Sequence, residues 1–119
     1  MRRVVIFFFI SMVCFTIKAQ SDYYMRQARH FQSDAEYHMK QAQRFDKEVY
    51  YYNHQAWGFL REAEFYTKKE KYDLVKNFQR KAKEATNKAE FYKRKADNSR
   101  DKARFYMRKA EHAILKAKK

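Results

Sequence analysis

The sequence has almost none of the residues with which chains make turns. It contains no proline, one glycine, Gly58, and one cysteine, Cys14. Strands joined by tight hairpins need clusters of turn residues, whereas the abundant Ala, Lys, Arg, Glu and Gln favour helix. The composition therefore argues against a β-sheet architecture and predicts an all-α protein.

The first residues form a separate region. A basic start, "MRR", precedes an almost unbroken apolar run from Val4 to Ile17, and Ala19 offers a small residue for cleavage. This layout predicts a secretory signal peptide over residues 1–19, because the run is shorter than the roughly 20 residues of a spanning helix. The "KAQ" ending resembles bacterial signal peptides that are cleaved before Gln. We therefore expect an exported protein, periplasmic or secreted.

Cys14 offers an alternative that we rank lower, which is a lipoprotein acylated at that residue. Val13 stands where such a site needs a small residue. If residues 1–19 are removed, the mature chain has no cysteine, so disulfides do not hold it together.

Two long segments carry a heptad repeat whose a position is Ala and whose d position is mainly aromatic, a pattern typical of coiled coils. The a positions of the first segment hold Ala28, Ala35, Ala42, Val49, Ala56 and Ala63, and its d positions hold Phe31, His38, Phe45, Tyr52, Phe59 and Tyr66. In the second segment the a positions are Ala82, Ala89, Ala96, Ala103, Ala110 and Ala117, with Ala85, Tyr92, Ser99, Tyr106 and Ala113 at d. A small residue facing a large ring predicts an antiparallel Ala/aromatic coiled-coil helical hairpin.

A row of lysines, here called the lysine ladder, precedes every Ala at a in the second segment. It consists of Lys81, Lys88, Lys95, Lys102, Lys109 and Lys116. The equivalent positions of the first segment hold Gln27, Asp34, Gln41, Glu48, Gln55 and Glu62. These charges predict that the second segment pairs with the first rather than with itself.

The pattern predicts four regions: a signal peptide over 1–19, a near-neutral helix over 20–66, a turn or phase break over 67–81 and a strongly basic helix over 82–119. Two registers bring aromatics onto alanines, one in which facing residue numbers add to 148 and one in which they add to 141. In the register adding to 148, an ion pair between Asp46 and Arg100 is expected. Since no Gly or Pro enforces the turn, a swapped antiparallel dimer and further self-association into a bundle stay open alternatives.

Charge is unevenly distributed along the chain. Residues 20–66 carry a net charge of −1, whereas residues 67–119 carry +12. Such a basic arm attracts polyanions, which include anionic lipid, glycan, nucleic acid and acidic protein. The candidate polyanion-binding residues are Lys93, Arg94, Lys95, Arg100, Arg104, Arg108 and Lys109.

A second row of aromatics, here called the aromatic stripe, recurs at position c of the heptads. Its members are Tyr37, Tyr51, Phe65, Phe91 and Phe105. They lie about 200° from the Ala face, so a lone hairpin leaves them largely in water. Either they cover the stems of neighbouring Lys and Arg, or they form a surface for self-association or protein contact.

No residue pattern indicates catalysis. His30, His38, His54 and His112 form no zinc-type spacing, and one glycine cannot make a phosphate-binding loop. The sequence predicts no enzyme, no metal, no cofactor and no small-molecule substrate. It favours an exported structural or binding protein of the bacterial cell envelope, and the alternatives are a periplasmic holdase-like chaperone and an extracellular nucleic-acid- or membrane-binding cationic helix.

Overall fold

Two long helices make up the fold and pack against each other as an all-α helical hairpin. The computed structural model describes the backbone of residues 2–119 and the side chains of residues 18–119. Helix α1 spans Arg2–Lys68 and helix α2 spans Tyr72–Lys118. The signal peptide, its cleavage and acylation at Cys14 depend on residues 1–17, which lie outside the described side chains, so they stay predictions.

The chain reverses at residues 69–71. The Lys71 N–H donates to the Tyr66 carbonyl (3.1 Å), the Glu70 N–H donates to the Thr67 carbonyl (3.1 Å), and Glu70 has a φ of 60°. These bonds form a Schellman motif, which ends a helix with one left-handed residue. Residues 72–81 are helical, so the turn takes only a small part of the 67–81 segment that the sequence assigned to it.

The heptad of α2 begins one repeat earlier than its alanines indicate. Val75 is buried at an a position, and Phe78 lies at the following d position. The ring of Phe78 stacks on Tyr66 (5.5 Å between centroids) and lies 6.3 Å from Phe59. These contacts place a hydrophobic layer directly after the turn.

The chain forms two compact bodies. The terminal body comprises residues 1–37 and 102–119, and the central body comprises His38–Asp101. The buried hydrophobic side chains that the structure describes in residues 18–119 are Val75 and alanines, and no large side chain among them is fully buried. The Ala seam therefore forms the interior, and the rings around it are half-buried.

In the central body the stacked rings select one register. Tyr92 lies between two rings of α1, 5.6 Å from Tyr52 and 6.2 Å from Phe45. It therefore stands opposite Val49, midway between them, which is the register in which facing numbers add to 141.

The terminal body has the same register within its own contacts. Lys109, which precedes Ala110, lies over Phe31, and Lys116 lies over Tyr24 one heptad away. Phe31 also stacks on Tyr106, with 6.4 Å between centroids.

Candidate anion-binding face

The lysine ladder is the most regular functional feature of α2, and five of its members lie over aromatic rings of α1. In the central body the Nζ atoms of Lys81, Lys88 and Lys95 lie 5.9, 5.4 and 5.6 Å from the ring centroids of Phe59, Tyr52 and Phe45. In the terminal body Lys109 lies 5.5 Å from Phe31, and Lys116 lies 5.7 Å from Tyr24.

Each distance is within the roughly 6 Å over which a ring attracts a cation. Sequence reasoning paired this ladder with acids and missed the rings. The signal was present, because these five lysines directly precede alanines that face Phe or Tyr in the register adding to 141, whereas Ala103, after Lys102, faces His38. A ring holds an ammonium group in place without cancelling its charge, so the ladder stays positive while its side chains are ordered.

Three ladder lysines lie over rings of both helices, and the first is Lys81, at 5.9 Å from Phe59 and 5.4 Å from Phe78. Lys95 Nζ lies 4.5 Å from Phe91 as well as 5.6 Å from Phe45. Lys109 Nζ lies 4.5 Å from Phe105 as well as 5.5 Å from Phe31. The ammonium groups of Lys95 and Lys109, one in each body, therefore lie close to both a c-position ring of α2 and a d-position ring of α1.

The aromatic stripe lies at the surface, as its heptad position indicates. Tyr37, Tyr51, Phe65, Phe91 and Phe105 are 58, 54, 50, 47 and 49% exposed. Lysines cover three of these rings, at 4.5 Å for Phe91 and Phe105 and at 4.4 Å for Phe65, where the cation is Lys69. Lysines thus cover part of the aromatic stripe, and about half of each residue is still exposed to solvent.

The seven candidate polyanion-binding residues are divided between the two bodies. Four lie in the central body, namely Lys93, Arg94, Lys95 and Arg100, and three lie in the terminal body, namely Arg104, Arg108 and Lys109. By heptad position Lys93 and Arg100 lie on the e side of α2, whereas Lys95 and Lys109 lie on the opposite, g side.

Arg100 is already engaged by two carboxylates. Its Nη1 donates to Asp46 Oδ2 and its Nη2 donates to Asp97 Oδ1, both at 2.8 Å. The ion pair with Asp46 is therefore present, although it was predicted for the register adding to 148 and forms in the register adding to 141. The hydrogen bonds to Asp97 and then Asp46 raise the pKa of Arg100 above its usual range. A polyanion would therefore have to compete with these two carboxylates for the Arg100 guanidinium.

A basic depression of about 530 Å³ opens in the terminal body. Its apolar walls are Phe31, Phe105 and Ala113, and its polar walls are Gln27, Arg108, Lys109, His112 and Lys116. It lies where small Ala113 occupies the d position that holds a ring one heptad earlier, at Tyr106. Of these residues Phe105, Arg108 and Lys109 are predicted contacts from the sequence. Gln27, Phe31, Ala113 and Lys116 have only heptad positions there, and His112 has no predicted role.

In the part of the chain with described side chains, no group of three His, Cys, Asp or Glu could hold a metal ion. Across those same residues, no helix is apolar over a stretch long enough to cross a membrane. Comparison with protein-family models, curated proteins and solved structures found no match.

Proposed function

We propose that this protein is an exported, non-enzymatic helical binding protein of the bacterial cell envelope, and that its basic helix binds polyanions. The observation that supports this most strongly is the ring-held lysine ladder. Ordering of long side chains before binding lowers the entropy cost of each contact. A polyanion thus meets charges that are fixed in spacing and still available.

Export is supported by the sequence alone. The basic start, the short apolar run and Ala19 form the layout of a secretory signal peptide. Outside the cytoplasm the available polyanions are surface glycans, anionic lipid headgroups, released nucleic acid and acidic proteins. Cleavage at Ala19 is checked by sequencing the N-terminus of the secreted protein.

Binding is tested with heparin, duplex DNA and anionic vesicles over a series of salt concentrations. We expect binding to at least one of them that weakens steeply as salt rises, because contacts between cations and a polyanion release counterions. Binding to none at low salt, or binding that salt does not change, contradicts the proposal.

The ladder is tested by a matched pair of triple variants. Lys88→Gln, Lys95→Gln and Lys109→Gln together remove three ring-held charges. Lys47→Gln, Lys76→Gln and Lys83→Gln remove three charges from positions outside the ladder. The ladder triple should weaken binding about tenfold more than the control triple, because its charges are ordered beforehand. Equal losses mean that net charge alone drives binding.

A second candidate function is a holdase-like chaperone, which the half-exposed aromatic stripe favours. Solvent-facing rings beside cations can hold unfolded segments of envelope proteins. The test is suppression of aggregation of an unfolded outer-membrane protein. Phe91→Ser with Phe105→Ser should abolish it, while Tyr72→Ser, at a ring 60% exposed beside the turn, should not.

A further inference from the structure

Helix α2 contains two copies of a 14-residue repeat that differ in charge. Residues 89–102 read "AEFYKRKADNSRDK", and residues 103–116 read "ARFYMRKAEHAILK". The shared Phe, Tyr and Lys have the same local geometry in both copies. The Phe and Tyr centroids are 5.4 Å apart in the first and 5.5 Å in the second, and the Lys Nζ lies 4.5 Å from the Phe ring in each.

The second copy lines the basic depression, and the cations that it contributes are Arg108, Lys109 and Lys116. Asn98 of the first copy corresponds to His112 in that lining. No Asp or Glu lines the depression. A smaller depression of about 190 Å³ in the central body, beside Ala85, includes the carboxylate of Glu84 in its lining.

The cations of the basic depression lie along one strip of α2. Arg108 and Lys116 are eight residues apart, and Lys109 and His112 lie between them. From residue 108 to residue 116 the strip extends about 12 Å along the helix. Its three Lys and Arg side chains attract an anionic ligand that lies along the strip, because no carboxylate lines the depression.

The rings of the depression limit what kind of ligand fits. Lys109 Nζ lies over both Phe105 and Phe31, so one face of each ring is occupied by a cation. Phe31 also stacks on Tyr106, whereas Phe105 is 49% exposed, so Phe105 is the ring of the depression that is left for stacking. Single-stranded nucleic acid stacks successive bases on several rings, and one ring does not provide that. A single lipid headgroup uses only part of a strip of this length. A sugar ring packs its C–H groups against a single exposed aromatic face, while the anionic groups of a polysaccharide reach the cations in succession.

We propose that the basic depression binds a segment of an anionic polysaccharide, with its sulfate or carboxylate groups on Arg108, Lys109 and Lys116 and its sugar rings against Phe105. This inference rests on the proposed function and names the ligand class. Arg108 supplies two parallel donors to one anionic group, and Lys109 and Lys116 supply point charges on either side. The volume lies within the roughly 300–1,000 Å³ of known ligand sites.

The test is calorimetric titration of the purified protein, as the cell produces it, with a heparin-derived octasaccharide at fixed ionic strength. Arg108→Gln should weaken binding about tenfold, since it removes a charged hydrogen-bonding group. Arg94→Gln, the same change at the equivalent position of the first copy, should weaken it less than about twofold. Phe105→Ala and Phe91→Ala form a second matched pair with the same expected order, and circular dichroism verifies that all four variants fold.

Two further probes separate the ligand classes. The same octasaccharide without its sulfates should bind at least about tenfold more weakly, and oligo-dT of equal charge should bind more weakly than the sulfated saccharide. Equal losses in Arg108→Gln and Arg94→Gln overturn the depression as the site while leaving polyanion binding intact. Tighter binding of oligo-dT, weakened by Arg108→Gln, shows that the ligand is nucleic acid and overturns this inference. Failure of the unmodified protein to bind any probe overturns the proposed function as well.

Discussion

At the residue scale, stability depends on which rings pack between helices and which face solvent. Tyr92 lies between Phe45 and Tyr52, nearly parallel to Tyr52 at 5°, whereas Tyr50 is 71% exposed. We expect Tyr92→Ala to lower the free energy of unfolding by about 2–3 kcal/mol, because it leaves a gap over Val49 and removes two ring stacks. Urea denaturation followed by circular dichroism measures this loss.

The control at this scale is Tyr50→Ala. Among the ring contacts described, that of Tyr50 is with His54 of the same helix, with 5.7 Å between the centroids. The change should cost less than about 0.5 kcal/mol, as is usual for an exposed position. Equal losses for the two variants indicate that the Ala seam alone holds the helices together and that the stacks contribute little.

At the scale of the elements, the turn contains the least favourable backbone in the described chain. Glu70 has a φ of 60°, which places its backbone in the left-handed region that glycine adopts freely. We expect Glu70→Gly to raise the free energy of unfolding by about 0.5–1 kcal/mol, since the lost strain exceeds the added freedom of the unfolded chain. Lys71→Gly, which has no such strain to release, should lower it. A loss in both variants contradicts this account of the turn.

The sequence predicted the helices, the Ala seam and the segment that contains the turn, because a heptad repeat and the lack of Gly and Pro are local signals. It did not choose between the two registers, since both place rings on alanines. Tyr92 decides for the register adding to 141 through its stacks with Phe45 and Tyr52, and these need coordinates to be seen. The start of α2 was missed because its first layer uses Val75 instead of Ala.

The lining of the basic depression could also be predicted in part, because charge is a local signal in the sequence. Charge alone selected Arg108 and Lys109, because they lie in an obviously basic run. Gln27 and Phe31 of α1 also line the depression, and no feature of the basic segment of α2 indicates them. His112 was set aside because it lacks metal-ligand spacing, although comparison of the two 14-residue copies would have shown that it replaces Asn98.

At the scale of the whole molecule, the two dominant surface properties oppose each other. Fourteen large hydrophobic side chains are 38–71% exposed among the described residues, which favours association between copies. The chain carries a net charge of +14, which opposes it. The charge is denser in the terminal body, where residues 18–37 and 102–119 carry ten Lys or Arg against four Asp or Glu, than in the central body with sixteen against ten.

The balance predicts self-association that increases with salt. Repulsion between the positive surfaces is screened as ionic strength rises, with a Debye length of about 30 Å at 0.01 M and about 8 Å at 0.15 M, whereas burial of the exposed rings is not weakened by salt. The mass from light scattering should therefore rise from monomer towards dimer or higher as salt increases at constant protein concentration. Tyr37→Ser with Tyr51→Ser should prevent the rise, because it removes two half-exposed rings without changing charge. A mass that falls with salt shows instead that ion pairs between copies hold the assembly together, and the aromatic stripe is then not the contact.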